Sequence, residues 1–236
     1  MNSIALALKY TPKLDEIFQR EATSIDLEDT TVNFDGVDTV KILKVKVPDN
    51  ADYSRSSGFT TGDVEATWET WQLTQDRGRE FNVDAVDNEE TLDQTFGAVS
   101  GEFIRTKVIP EVDLYRYATV ASKSGISGTI GVLTTGDQVV AAISAAMTQM
   151  DEDEVPTENR LLYITPTCKR LIDALETYKS QKVMEGFSKV IQVPQSRFLT
   201  KITKNTEKKF VRHADGSFYH FKEIYIYLIS KLLLFR

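Results

Sequence analysis

The stretch from Asp87 to Ser122 constrains the fold most, because it has the sequence of one unusually long helix. Asp87 and Glu90 have the spacing of a capping box, and the acidic residues around them suit the positive end of a helix dipole. Apolar residues with the spacing of one buried helix face follow in two series: Leu92, Phe96, Val99 and Phe103, then Val108, Val112 and Tyr115.

Pro110 stands where the spacing between the two series slips. Proline has no backbone donor and crowds the carbonyl group four residues earlier, here that of Thr106, so we expect a bend in mid-helix. An unbroken helix of this span would be roughly 50 Å long at about 1.5 Å per residue. Helices in ordinary globular proteins average about 11 or 12 residues, so this long helix is predicted to extend across the whole subunit.

Two strands with turn-forming residues between them precede the helix. Val37–Val47 alternates, and we expect Val40, Ile42, Val45 and Val47 to form one dry face. Val64–Thr74 carries Trp68 and Trp71, which lie three residues apart and therefore point to opposite faces. A long hairpin is predicted, followed by a third strand at Arg77–Val86.

The hairpin loop carries large side chains that it is too short to bury. We expect them to find their contacts on another chain, with local packing as the alternative. The candidate inter-subunit contacts are Tyr53, Arg55, Phe59, Trp68, Trp71, Arg77 and Arg79.

After the long helix, glycines mark a turn-rich connection, and a small domain of alternating helices and strands begins. Its predicted elements are a helix at Gln138–Met150, a buried strand at Arg160–Ile164, a helix opened by Pro166 and a strand at Phe187–Val193. The predicted fold class is α+β.

Charge is spread unevenly along the chain. The net charge of -7 argues against general nucleic-acid binding. Pro48–Thr95 contains twelve acidic residues, three arginines and no lysine, whereas Arg197–Arg236 has nine basic residues and three acidic ones. Complementary ends of like subunits would attract each other; the alternative is solvated loops and a basic tail.

No catalytic, metal or cofactor site is predicted. The two histidines, His213 and His220, lie in the tail, so residues 1–212 supply no histidine base or ligand. Asp151, Asp153 and Glu154 are read as a solvated face. Cys168, the single cysteine, is read as a small buried hydrophobe in a reducing compartment.

Neither a secretory signal nor a membrane span is expected. The first ten residues lack the charged opening and cleavage pattern of a signal peptide. The apolar tail Ile224–Phe235 is far shorter than the roughly 20 residues that a spanning helix needs.

Several segments, in their order along the chain, resemble major capsid proteins of tailed bacteriophages with the Hong Kong 97 type fold. These segments are Leu73–Phe81, Asp87–Thr91, Gly101–Phe103 and Val108–Tyr117, extended by Leu161–Pro166 and Val193–Phe198. The resemblance covers roughly Ile4–Thr203.

The resemblance implies an N-terminal arm (1–35), an E-loop hairpin with peripheral-domain strands (36–86) and a spine helix (87–122). It also implies an axial domain (123–204), here expected to be incomplete, and leaves an atypical tail (205–236). The implied protein is no enzyme; it self-assembles as pentamers and hexamers into an icosahedral shell. That shell encloses phage or prophage DNA without sequence-specific binding. Scaffold and portal proteins are implied partners, with assembly in the host cytoplasm.

Two departures from the family qualify this interpretation. There is no lysine between Lys46 and Lys107, so we expect no covalent cross-link through the E-loop. The tail is expected to be truncated or frame-shifted, and either packs beside the hairpin stem or spine helix or drives aggregation. Alternatives are a cellular nanocompartment shell of the same fold, a non-assembling prophage product and an enzyme of phage origin.

Overall fold

The computed structural model describes residues 13–28, 34–35, 38–80, 94–122, 133–175, 177–199, 201–206, 209–212 and 226–230. The chain divides into two compact units: Glu28–Val83 forms one, and Met1–Leu27 with Asp84–Arg236 forms the other. Helices and sheets are both present, so the predicted mixture of α and β structure is confirmed.

The helices, in chain order, are α1 (residues 13–21), α2 (Gln94–Phe103), α3 (Ile109–Ser122), α4 (Gly136–Glu152), α5 (Pro166–Asp173) and α6 (Tyr178–Glu185). A 3-10 turn spans Ile25–Leu27, and a π-helical turn, Ile104–Val108, joins α2 to α3. The strands are β1 (Thr39–Lys46), β2 (Glu65–Gln72), β3 (Arg160–Ile164), β4 (Lys189–Gln192), β5 (Ile202–Lys204), β6 (Phe210–Arg212) and β7 (Ile226–Ser230).

In the smaller unit, β1 and β2 form an antiparallel hairpin, as predicted. Its register pairs Leu43 with Trp68 and Val40 with Trp71. The prediction of one dry face was wrong. Ile42 and Val45 are three residues apart, and because strand side chains alternate, they lie on opposite faces. The third predicted strand does not begin at Arg77, because residues 77–80 lie outside any strand, and its remainder lies outside the described residues.

The predicted long helix is present as α2, the π turn and α3, while its predicted start, Asp87–Leu92, lies outside the described residues. The Ile109 N–H donates to the Ile104 carbonyl, five residues back. This wider spacing lies directly before Pro110, where an α-helical backbone would lose a donor and crowd a carbonyl. The Thr106 hydroxyl also donates to the Glu102 carbonyl (2.8 Å).

The buried face of α3 differs from the predicted one. Val108, Val112 and Tyr115 are only half-buried. The buried residues are Ile109, Asp113, Leu114, Tyr117 and Ala118. The π turn contains one residue more than an α-helical turn, so the face of the helix toward the core moves on by one position.

Asp113 is a fully buried carboxylate that holds the segment before the hairpin against α3. Its Oδ2 accepts from the N–H (3.2 Å) and hydroxyl (2.8 Å) of Thr23, and its Oδ1 from those of Ser24 (3.1 and 2.6 Å). The Arg197 guanidinium also donates to Oδ2 (3.2 Å). Four hydrogen bonds and one ion pair thus compensate for burying this charge.

Residues of the small alternating domain form the main core. The predicted helix around Gln138–Met150 is confirmed as α4, which begins with a capping box between Thr135 and Gln138. Strand β3 is buried at all five positions, as predicted. The core joins residues of α4, β3 and α5, among them Val139, Ile143, Leu162, Ile164, Cys168 and Ile172.

Strand β3 lies at the centre of a three-stranded sheet, parallel to β4 and antiparallel to β7. The tail strand β7 was predicted beside the hairpin stem or the spine helix, and this placement was wrong. The free edge of β3 offers a complete row of backbone donors and acceptors, which a short apolar segment satisfies by pairing.

A second cluster packs α3 on this sheet. The Tyr117 ring meets those of Tyr163 (5.5 Å between centroids) and Phe198 (5.1 Å) edge-on. Burial raises the pKa of both tyrosine hydroxyls. In the described part of the chain, no helix is both long and apolar enough to cross a membrane.

Candidate interaction surface on the hairpin

The loop between β1 and β2 has a defined tip rather than an irregular end. Ser54 and Gly58 exchange both backbone hydrogen bonds (3.2 and 2.8 Å), and the Ser54 hydroxyl accepts from the N–H groups of Ser56 and Ser57 (both 3.3 Å). Gly58 has φ +80°, a conformation that glycine adopts without strain. The tip is therefore built as a tight turn.

This turn brings three of the predicted contact residues together. The rings of Tyr53 and Phe59 lie 5.0 Å apart, on either side of the turn that contains Arg55. Tyr53 is 60% exposed and Phe59 is 86% exposed. The two rings contact each other but remain largely in solvent, so local packing covers them only in part.

One face of the hairpin stem is apolar and exposed. Leu43 lies directly opposite Trp68, and Val45 opposite Ala66. Val47 and Val64 continue the same alternation just beyond the strand ends. The exposed fractions of these five large side chains, Leu43, Val45, Val47, Val64 and Trp68, run from 47% to 68%. We call this set the apolar face.

The other face of the stem carries paired charges. The Lys44 ammonium group forms an ion pair with the Glu69 carboxylate, and Trp71, opposite Val40, lies on this side. The prediction that Trp68 and Trp71 point to opposite faces is confirmed. The two faces thus differ in chemistry. On one face Lys44 and Glu69 pair within the hairpin, whereas on the other the apolar side chains remain exposed.

Arg77 and Arg79 are exposed in the segment that follows β2, outside the turn that forms the tip. Sequence reasoning missed Leu43 and Val64, which complete the apolar face. The signal was present as a period of two through Leu43, Val45 and Val47, and again through Val64, Ala66 and Trp68.

The residues considered for chemistry have structural contacts. Cys168 is buried, which raises the pKa of its thiol. Asp151 is more than a solvated residue, because its carboxylate pairs with the buried Arg160 guanidinium (2.7 Å). No group of three or more potential metal ligands occurs among the described residues, and both histidines lie outside them.

No protein-family model matches the chain, and no curated protein matches it. Among solved structures it is similar to one from Mycobacterium phage Che8 (TM-score 0.41, 17% identity), covering 71% of this chain and 57% of that one. It is also similar to the capsid structure of the cyanophage P-SCSP1u (TM-score 0.49, 15% identity), covering 80% of this chain and 66% of that one. The chain thus spans less than two thirds of either of these structures.

Proposed function

We propose that this protein is a structural subunit that self-associates into the icosahedral shell of a tailed phage or prophage. The exposed apolar face of the β1–β2 hairpin carries the proposal. A two-stranded hairpin is marginally stable alone, and contiguous exposed apolar surface of this kind marks an interaction site. Another subunit that covers this face stabilises the hairpin and joins the two chains.

The energy available at the apolar face suits reversible assembly. Full burial of one large apolar side chain contributes about 1.5–3 kcal/mol. With five side chains about half to two-thirds exposed, complete coverage contributes about 4–9 kcal/mol before the entropic cost of association. One such contact is weak, but a closed shell repeats it for every subunit, so a weak contact is sufficient.

The resemblance of Leu73–Phe81 and Val108–Tyr117 to tailed-phage major capsid proteins favours a shell over an ordinary dimer. On this proposal the chain has the Hong Kong 97 type fold, with the hairpin as its E-loop and α2–α3 as its spine helix. The subunits form pentamers and hexamers around DNA, in host cytoplasm first and then in the virion.

The test compares the wild-type chain with Leu43→Ser/Trp68→Ser, which removes the largest side chains of the apolar face. Negative-stain microscopy and sedimentation velocity should detect closed particles for the wild type and only small species for the variant. The control is Tyr178→Ser, because Tyr178 is 76% exposed on α6, outside the hairpin.

Below the concentration at which the wild type assembles, thermal unfolding of the larger unit should be nearly the same for all three proteins, since the replaced side chains lie outside the cores. Particles formed equally well by the double variant would contradict the role of the apolar face. A wild-type chain that stays monomeric at every concentration would contradict the proposed function itself.

A further inference from the structure

The hairpin loop carries exposed carboxylates that form no ion pairs with the described residues around them. Four exposed carboxylates, those of Asp49, Asp52, Asp63 and Glu65, border the loop. None of them forms an ion pair with another described residue. The single basic residue from position 47 to 64 is Arg55. We call residues 47–65 the acidic loop.

A small basic surface lies in the other unit. Strands β5 and β6 pair antiparallel, with Lys204 opposite Phe210. We call this pair, together with Lys201 directly before β5, the basic ribbon. Lys201 and Lys204 are exposed, and neither forms an ion pair with a carboxylate of the described residues.

The basic ribbon is anchored rather than loose. The Lys204 ammonium group lies 5.3 Å from the centre of the Phe210 ring, and that ring packs 5.5 Å from the ring of Tyr115 on α3. The ribbon therefore packs on the long helix through Phe210, beside Lys204. A charged surface on an anchored pair of strands loses less entropy on binding than a flexible one.

We propose that the acidic loop of one copy docks on the basic ribbon of a second copy. This inference rests on the proposed function, since it names the surface that the hairpin meets during self-association. Copies with a net charge of -7 repel one another at long range. Opposed charged patches reduce that repulsion locally and select one orientation of approach.

The proposed contact is heterologous, because a loop meets a ribbon rather than another loop. Repeated head to tail, such a contact closes into a ring when the rotation between copies permits. A second copy fits the ribbon better than nucleic acid does, because the acidic loop supplies matching carboxylates together with the exposed rings of Tyr53 and Phe59.

The test uses charge reversal in two variants of the full chain. In the loop variant three carboxylates become lysines: Asp49→Lys, Asp52→Lys and Asp63→Lys. In the ribbon variant two lysines become carboxylates: Lys201→Glu and Lys204→Glu. Each variant alone opposes like charges at the contact, so we expect the concentration needed for assembly to rise at least tenfold.

In an equal mixture of the two variants, opposite charges return wherever the two alternate, since the basic loop of one meets the acidic ribbon of the other. A six-membered ring can alternate throughout, and a five-membered ring keeps at least one contact between like charges. The mixture should therefore assemble better than either variant alone. Wild-type assembly should also weaken in about 1 M salt, where the Debye length is about 3 Å. Circular dichroism of each variant should confirm an unchanged fold.

A matched control changes the net charge as much as the loop variant does but on the other unit. Glu152→Lys, Glu158→Lys and Glu185→Lys replace exposed carboxylates there. This control should assemble like the wild type.

Three results would overturn the inference. If either folded variant assembles normally on its own, the charges of the loop and the ribbon do not face each other. If the mixture assembles no better than the single variants, the two surfaces do not meet. A ribbon variant that assembles normally but loses binding to double-stranded DNA would assign the ribbon to nucleic acid instead. In each case assembly of the wild type leaves the proposed function intact, whereas a monomeric wild type overturns both.

Discussion

Replacing Asp113 by alanine should have a large effect, because this carboxylate is fully buried and serves three segments of the chain. The change leaves the N–H and hydroxyl groups of Thr23 and Ser24 without their acceptor and the Arg197 guanidinium without its partner. Ser24 is fully buried, so its N–H and hydroxyl groups regain water only if the segment detaches from α3. Asp113→Ala therefore either leaves these donors without an acceptor or releases residues 13–27.

The expected magnitude follows from those contacts. Removing one partner of a buried ion pair costs about 3–5 kcal/mol. Each buried donor left without an acceptor would cost about 1–3 kcal/mol. Detachment of the segment exposes these donors to water and so limits the loss of stability. For a chain of this size 1 kcal/mol shifts the melting temperature by about 2–4 °C, which predicts a fall of about 6–20 °C. Asp113→Asn should cost less, because its amide oxygen still accepts.

Urea unfolding gives the free energy, and hydrogen exchange locates the change. Peptides from residues 13–27 should lose protection first in Asp113→Ala. Asp173→Ala is the control, since Asp173 is exposed and pairs with Lys169 one helical turn away, a contact worth about 0.3–0.5 kcal/mol. A loss below about 1 kcal/mol in Asp113→Ala, or unchanged exchange in residues 13–27, would refute this account of the carboxylate.

Two further predictions concern the second cluster and the tail. Burial raises the pKa of Tyr117 and Tyr163, so their neutral hydroxyls stabilise the fold fully below pH about 10, and stability falls above it by about 1.4 kcal/mol per pH unit for each. Tyr163→Phe should halve that slope in urea unfolding at alkaline pH. It should cost little stability at pH 7, because the Tyr163 hydroxyl has no hydrogen-bond partner in the described structure. Tyr117→Phe removes a hydrogen bond to Thr23 (3.0 Å) and should lower the free energy of unfolding by about 0.5–1.5 kcal/mol. Deleting residues 226–236 uncovers the edge of β3 and should lower the melting temperature and promote aggregation on light scattering, whereas unchanged stability with better solubility would show that β7 is dispensable.

The sequence was most informative where structure is local. Alternation predicted β1, its tryptophans and the turn-forming residues before it predicted β2, and helical spacing predicted the long helix and α4. The faces were harder to predict. Assigning Ile42 and Val45 to one face ignored the three-residue step between them. Because of this error, Leu43 was not recognised as a member of the apolar face. Because the period of a strand is two, an error of one residue reverses the whole face.

Two other features depend on contacts far apart in the chain. Asp113 is polar, so no hydrophobic pattern marks it as buried; its place depends on Thr23 and Ser24, about 90 residues earlier. The pairing of β7 with β3 likewise joins segments more than 60 residues apart. Neither arrangement has a local sequence signal, because hydrogen-bond partners decide both.

The π turn at Ile104–Val108 has a consequence for how the long helix tolerates insertions and deletions. One additional residue in a helix rotates everything beyond it by about 100°, since an α-helix has 3.6 residues per turn. The π turn takes up one additional residue without that rotation. Deletion of a single residue from this turn would thus restore unbroken α-helical geometry and leave α3 in its present orientation, with Asp113 still facing Thr23 and Ser24. This turn can therefore lose one residue without changing the side chains that α3 presents to the core.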